Sequence, residues 1–151
     1  GNTAIIDYAH TPDALKNVLE TINDIRTGNE KVITVVGCGG DRDATKRPKM
    51  AHIASQLSTQ AIFTSDNPRS ENPQTILDEM EDGVSPENYR KTLTVLDRRQ
   101  AIKTACKLSE TGDIILIAGK GHENYQEVNG VRSHFDDLEE VTNCFNQLKK
   151  N

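Results

Sequence analysis

Residues Lys31–Asp43 read KVITVVGCGGDRD, a run of β-branched residues that breaks off into three glycines and a cluster of charge. Val, Ile and Thr are stiff at χ1 and favour extended backbone, so Lys31–Val36 is expected to be a strand. Four similar runs occur: Thr3–Asp7, Ala61–Ser65, Thr92–Leu96 and Asp113–Ala118. Amphipathic stretches separate them. Leu15, Val18, Leu19, Ile22 and Ile25 recur at helical spacing, as do Ile102, Ala105 and Leu108, and again Leu138, Val141, Phe145 and Leu148. These stripes belong to the core.

Helix starts are marked by chemistry that satisfies free backbone N–H groups. Thr11 precedes Pro12, a capping hydroxyl before a proline at the first helical position. Asp97 with Gln100, and Asp136 with Glu139, read as capping boxes or close variants. Pro48 and Pro73 are expected to open two further helices. Val128-Asn129-Gly130-Val131 is an Asn-Gly hairpin signature. Strands alternating with helices imply a Rossmann-like α/β domain: a mainly parallel sheet, helices on both faces, right-handed crossovers, and the hairpin as an antiparallel edge.

The 151 residues suit one domain, with no internal repeat or linker. With 18 basic and 23 acidic residues the formal net charge is -5, which argues against nucleic-acid binding driven by bulk charge. Arg42, Lys46, Arg47 and Lys49 nevertheless crowd together, and such a patch suits a small anionic ligand. Cys38, Cys106 and Cys144 form neither an even set nor a CxxC spacing, so neither a disulfide framework nor a zinc site is expected, and a reducing, cytoplasmic setting fits. The four histidines lack metal-ligand spacing. No apolar run approaches a membrane span and no secretory signal is seen.

In a parallel α/β sheet, ligands bind outside the carboxyl ends of the strands. The unusual residues fall there four times: Asp7–Asp13 (DYAHTPD), Gly37–Asp43 (GCGGDRD), Ser65–Arg69 (SDNPR) and Gly119–Glu123 (GKGHE). The opposite connections, such as Arg26–Glu30 and Ser109–Gly112, look ordinary. Gly37, Gly39 and Gly40 do not complete GxGxxG, because Arg42 stands at the last glycine position, and neither glycine loop is a P-loop. A dinucleotide site and an autonomous ATPase are thereby disfavoured. What remains is a cleft with guanidinium groups (Arg42, Arg69), carboxylates (Asp66, Glu123) and an amide (Asn67). Arginine forks suit carboxylates or phosphates and an acid suits an ammonium group, so the set suits a zwitterion such as an amino acid.

Together DYAHTPD, GCGGDRDATKRP (Gly37–Pro48), DNPR (Asp66–Arg69) and GKGHE resemble the C-terminal domain of the Mur ligases that add diaminopimelate, in order and approximate spacing over essentially the whole chain. The resemblance implies an ATP-dependent amide ligase of peptidoglycan synthesis. ATP phosphorylates the terminal carboxyl of a UDP-MurNAc-dipeptide, and the amine of meso-diaminopimelate attacks it through a tetrahedral intermediate. It implies that Arg42, Asp66, Asn67, Pro68, Arg69, Gly119 and Glu123 contact diaminopimelate. Asp7, Tyr8 and His10 would face ATP, with Asp7 a ribose partner. Lys120 and His122 receive no role.

ATP and Mg²⁺ would be held mainly by a central domain, and the UDP-dipeptide by domains outside this chain. Residues 1–151 are expected to be the third domain of a monomer, inactive alone. Two other readings stay open: a lysine-adding relative, disfavoured because Arg69 would then lack a distal carboxylate, and a non-catalytic module that binds an amino acid or nucleotide.

Overall fold

A computed structural model describes residues 2–149. Five strands, β1 (Thr3–Asp7), β2 (Val32–Val36), β3 (Gln60–Phe63), β4 (Thr92–Thr94) and β5 (Ile114–Ala118), form one sheet in the order β1-β5-β2-β3-β4. Every pairing is parallel. The helices are α1 (Pro12–Ile25), α2 (Lys46–Leu57), α3 (Pro73–Glu81), α4 (Arg98–Leu108) and α5 (Asp137–Lys149), with a 3₁₀ turn at Pro86–Lys91.

Handedness explains the layering. The steps β1 to β2, β2 to β3 and β3 to β4 run in one direction along the sheet, so right-handed crossovers place α1, α2 and α3 on one face. The return from β4 to β5 runs the other way and places α4 on the opposite face, where α5 joins it. The core divides accordingly. Leu15, Leu19, Met50 and Leu77 pack on Val32, Val36 and Phe63, while Ala101, Ile102 and Val141 pack on Ile33, Val35 and Ile62. Central strands β2 and β5 are buried throughout, as strands covered on both faces must be. Cys106 and Cys144 lie in the second core layer as free thiols.

The caps mostly follow the sequence. Thr11 accepts from the Ala14 amide, and Asp97 accepts from the Arg99 amide. Asp136 accepts from the Glu139 amide, while the Glu139 carboxylate reaches His134 at 2.6 Å and so does not close the box. Pro73 opens α3. Pro48 does not open its helix: α2 begins at Lys46, and the proline sits in the first turn, where its missing N–H would have had no partner. Asn129 and Gly130 take φ of 51° and 78°, the pair of positive values an Asn-Gly hairpin turn requires. The hairpin itself, β6 (Tyr125–Val128) with β7 (Val131–His134), forms a separate two-stranded sheet and not an edge of the main one. Its partner is the loop after β3. The Arg69 amide donates to Glu127 O at 3.0 Å, and the Asn129 amide donates to Arg69 O at 2.7 Å.

One buried ion pair joins these parts. Arg98, the first residue of α4, donates from Nε and Nη2 to the Asp137 carboxylate at 2.8 and 2.7 Å, both side chains fully buried. It also donates to Ser65 O at 3.1 Å and Ala118 O at 3.4 Å, at the ends of β3 and β5. Asp137→Ala would strand that guanidinium and should lower stability by about 3–5 kcal/mol in denaturant unfolding. The double replacement Arg98→Met, Asp137→Leu removes both charges and should lose clearly less. A double variant as unstable as the single would show that the pair's charge is not what matters.

Candidate amino-acid site

Because all five strands are parallel, the loops after β1, β2, β3 and β5 open on one edge, and there the four motifs meet. The glycines let them approach. A Cβ on Gly40 would run into the Pro68 carbonyl. The Gly40 amide donates to Asn67 O at 2.8 Å, fastening the glycine loop to DNPR. Gly119 adopts φ 118°, and a Cβ there would lie 2.8 Å from Asp66 Oδ2. Only glycine leaves that oxygen open.

Arg69 has a left-handed backbone, φ 52°, unusual for a residue with a Cβ. The two bonds to the hairpin hold it there. Its Nη1 donates to Gly40 O at 3.0 Å and Asn67 O at 3.4 Å. Among the described residues no carboxylate is ion-paired with it, and its Nε and Nη2 donate to none of them. Asp41 feels its charge but is bound elsewhere, to Ser70 Oγ at 2.6 Å and the Ser70 amide at 3.2 Å. Arg42 is exposed, its guanidinium bonds among the described residues only Asp41 O, at 2.9 Å, and it flanks the same glycine as Arg69: a Cβ on Gly39 would lie 2.8 Å from Arg69 Nη1 and 3.7 Å from Arg42 Cγ.

Asp66 and Asn67 are buried beneath this shelf. Pro68, also in the loop, turns the chain, its carbonyl accepting from the Glu71 amide at 3.0 Å. Glu123 is half-buried, with its charge felt by Lys120.

The loop after β1 adjoins the glycine loop. Asp7 O accepts from the Gly119 amide at 3.0 Å, and Tyr8 stands against Gly121. Asp7 Oδ1 caps its own turn through the Ala9 amide at 2.8 Å. Tyr8 and His10, both exposed, meet edge to face with centroids 4.7 Å apart. Burial pushes the Cys38 thiol up to about 12, which keeps it protonated and unsuited to nucleophilic work. A hollow of about 600 Å³ between α4 and α5, lined in part by Lys103, Cys106 and Cys144, lies apart from all four loops.

The structure redistributes the basic cluster. Arg47 is buried and consumed within the protein: its guanidinium meets Glu71 at 2.6 Å, Glu79 at 3.0 Å and Gly39 O at 3.2 Å. Lys46 donates to His10 O at 2.9 Å. Only Arg42 and Lys49 of the four remain exposed. The sequence reading missed Arg47 and Glu71 as the brace under both loops, and missed Lys120, which is fully buried although it lies between two glycines.

The family described as "Mur ligase, glutamate ligase domain" matches residues 1–121. The chain belongs to the Mur ligase family. It is 65% identical over 135 residues to the UDP-N-acetylmuramoyl-L-alanyl-D-glutamate–2,6-diaminopimelate ligase of Cytophaga hutchinsonii, covering 89% of this chain and 28% of that protein. The ligase of the same name from Bacteroides thetaiotaomicron is 58% identical over 146 residues, 97% of this chain and 30% of the relative.

A solved structure of a ligase so named superposes with TM-score 0.91 and 46% identity, over 98% of this chain and 30% of that one. Escherichia coli FolC in complex with ADP shares the fold, with TM-score 0.56 at 14% identity. This Mur ligase domain thus spans about 30% of the length of the curated relatives it matches.

Two carboxylates brace the site of the Mur ligase domain. The Arg47 guanidinium, and after it the Asp41 amide, hold Glu71 below the usual carboxylate range, while the Ser70 hydroxyl, and after it the Ser70 amide, do so for Asp41. A carboxylate depressed in the folded state stabilises fully above its unfolded pKa and ceases to as pH falls through the folded value. Glu71→Gln should therefore melt below the parent at pH 7, and the gap should close toward pH 3. A gap constant with pH would remove the ion pair from the explanation.

Proposed function

We propose that this domain binds and presents the incoming amino acid, meso-diaminopimelate, in an ATP-dependent ligase that extends UDP-MurNAc-L-Ala-D-Glu during peptidoglycan synthesis in the cytoplasm. The observation that carries the reading is the guanidinium of Arg69: fixed in place by two carbonyls, left without a carboxylate partner among the described residues, and standing beside Arg42. Arg69 is half-buried with two nitrogens left to give, and an arginine fork suits a carboxylate, so a carboxylate of the ligand is assigned to it. Asp66 Oδ2 and Glu123 supply acceptors for an ammonium group on the same shelf. A distal end bearing both a carboxylate and an ammonium fits diaminopimelate, whereas lysine would leave Arg69 unpaired.

ATP fits the neighbouring loop. Exposed Tyr8 and His10 offer ring surface for a base, and Asp7 offers its second carboxylate oxygen to a ribose hydroxyl. Among the described residues no three His, Cys, Asp or Glu side chains gather to hold a metal ion. The reading gives this domain the amino acid and leaves Mg²⁺, the triphosphate and the UDP-dipeptide mainly to other parts of the longer protein. When bound, ATP supplies activation of the dipeptide carboxyl. This chain's residues hold the amino acid so that its amine reaches that carbon, and orientation of this kind accounts for much of the rate in two-substrate ligation. The unit acting is taken to be a monomer.

The test is Arg69→Lys in the full-length enzyme. The charge stays and the planar fork goes. The kcat/KM for diaminopimelate should fall about ten- to a hundredfold, or about 1.4–2.8 kcal/mol, while that for lysine falls much less. Equal losses for both amino acids would leave Arg69 as loop structure alone. Residues 1–151 alone, given ATP, Mg²⁺, the UDP-dipeptide and diaminopimelate, should release no phosphate at an enzymic rate, and turnover by the isolated domain would overturn the division of labour.

A further inference from the structure

Lys120 is 0% exposed, and its ammonium has three partners: Asn67 Oδ1 at 2.8 Å, Tyr125 O at 2.7 Å and Asp66 Oδ1 at 3.3 Å. Two of its three N–H groups are hydrogen-bonded, to Asn67 and Tyr125, and the Asp66 carboxylate lies at ion-pair distance. Burial pulls its pKa below the usual lysine range, and Asp66 acts against that. The three partners belong to the DNPR loop and the hairpin, while Lys120 itself belongs to the glycine loop, so one nitrogen locks three segments of the shelf.

The consequence lies in which atoms are left over. Asn67 Oδ1 accepts from Lys120 and also from the Glu127 amide at 3.0 Å. Both are donors, so the amide cannot be flipped, and its nitrogen points away from them. That nitrogen donates to none of the described residues. Asp66 is treated likewise: Oδ1 takes the ammonium, and Oδ2 faces the opening that Gly119 keeps clear. The shelf therefore offers N–H groups from Asn67 and Arg69 beside an oxygen from Asp66.

We propose that Lys120 is a positioning residue that sets this polarity, holding the Asn67 amide nitrogen and the second Asp66 oxygen toward the carboxylate and ammonium of the bound amino acid. The proposal rests on the reading above that this shelf takes an amino acid. Lys120 touches no substrate in this arrangement; it acts through Asn67 and Asp66.

In the full-length ligase, Lys120→Met keeps an unbranched chain, one atom shorter, and removes every donor. Its KM for diaminopimelate should rise at least about tenfold while the KM for ATP changes less than about twofold. Lys120→Gln, whose amide can still donate to Asn67 Oδ1, should recover part of the loss. An unchanged KM for the amino acid, parallel rises for amino acid and ATP, or equal losses in the two variants would each overturn the proposal. Should the Met variant not fold, the Gln variant is judged alone, by whether amino-acid KM rises without ATP KM.

A wild type that does not consume diaminopimelate removes the substrate reading by itself. The same comparison is then made with whichever amino acid the wild type does ligate, lysine first.

Discussion

The edge of the sheet that carries the site is held by Arg98. Parallel strands β3 and β5 are not neighbours in the sheet, and their carboxyl ends lead into loops that must be placed independently. Arg98 spans them, donating to Ser65 O and Ala118 O while its charge is met by Asp137. A buried guanidinium is costly without a partner in good geometry, and here the fork matches the carboxylate atom for atom. The same contact joins the first residues of α4 and α5. The DNPR loop follows Ser65 and the GKGHE loop follows Ala118, so this pair ties together the bases of the two halves of the shelf, which Lys120 also joins.

A second layer of buried charge works above it. Lys120 and Arg47 are each drawn out of water, at 0% and 1% exposure, and each draws acceptors from separate parts of the chain, although Arg47 Nε has no partner among the described residues. Loops lack the repeating backbone ladder that fixes strands, so their geometry has to come from side chains. Burying charge costs more than burying methyl groups, but an ion has many directional bonds to give, and a methyl group has none. Arg47 gathers Gly39, Glu71 and Glu79 from one side, and Lys120 gathers Asp66, Asn67 and Tyr125 from the other. Arg69 and Arg42 flank Gly39, and Arg69 leaves Nε and Nη2 without a partner among the described residues.

Much of this was legible in the sequence because it was local. Lys31–Val36 and Asp113–Ala118 announce strands by composition, and β2 and β5 occupy nearly those residues. Asn129-Gly130 announces its turn, and the clustering of unusual residues after strands announces the loaded edge. What was not legible depends on partners far apart in the chain. Arg98 and Asp137 are 39 positions apart, and nothing near either marks the other. Arg42 and Arg47 look alike in a basic run, yet Glu71 and Glu79 approach only one of them. Lys120 between two glycines reads as an exposed loop until the hairpin closes over it. The hairpin read as a sheet edge because periodicity gives a strand and not its neighbour.

The place of the hairpin outside the main sheet bears on how Arg69 is held. A left-handed residue with a Cβ costs about 1 kcal/mol or more unless its surroundings hold it. Arg69 is held by β6 and the turn after it: Glu127 O takes its amide, and the Asn129 amide takes its carbonyl. The direction of its guanidinium therefore depends on a hairpin that contributes no residue to the motif. Glycine at position 69 would relieve the backbone and lose the fork, so the guanidinium and the left-handed backbone come together. The hairpin's outer strand, Val131–His134, is exposed. Its inner strand is constrained by two backbone bonds to Arg69 and by Glu127 N and Tyr125 O, which complete the partners of Asn67 and Lys120. An element set outside the sheet thus fixes the orientation of the groups that the sheet's edge presents.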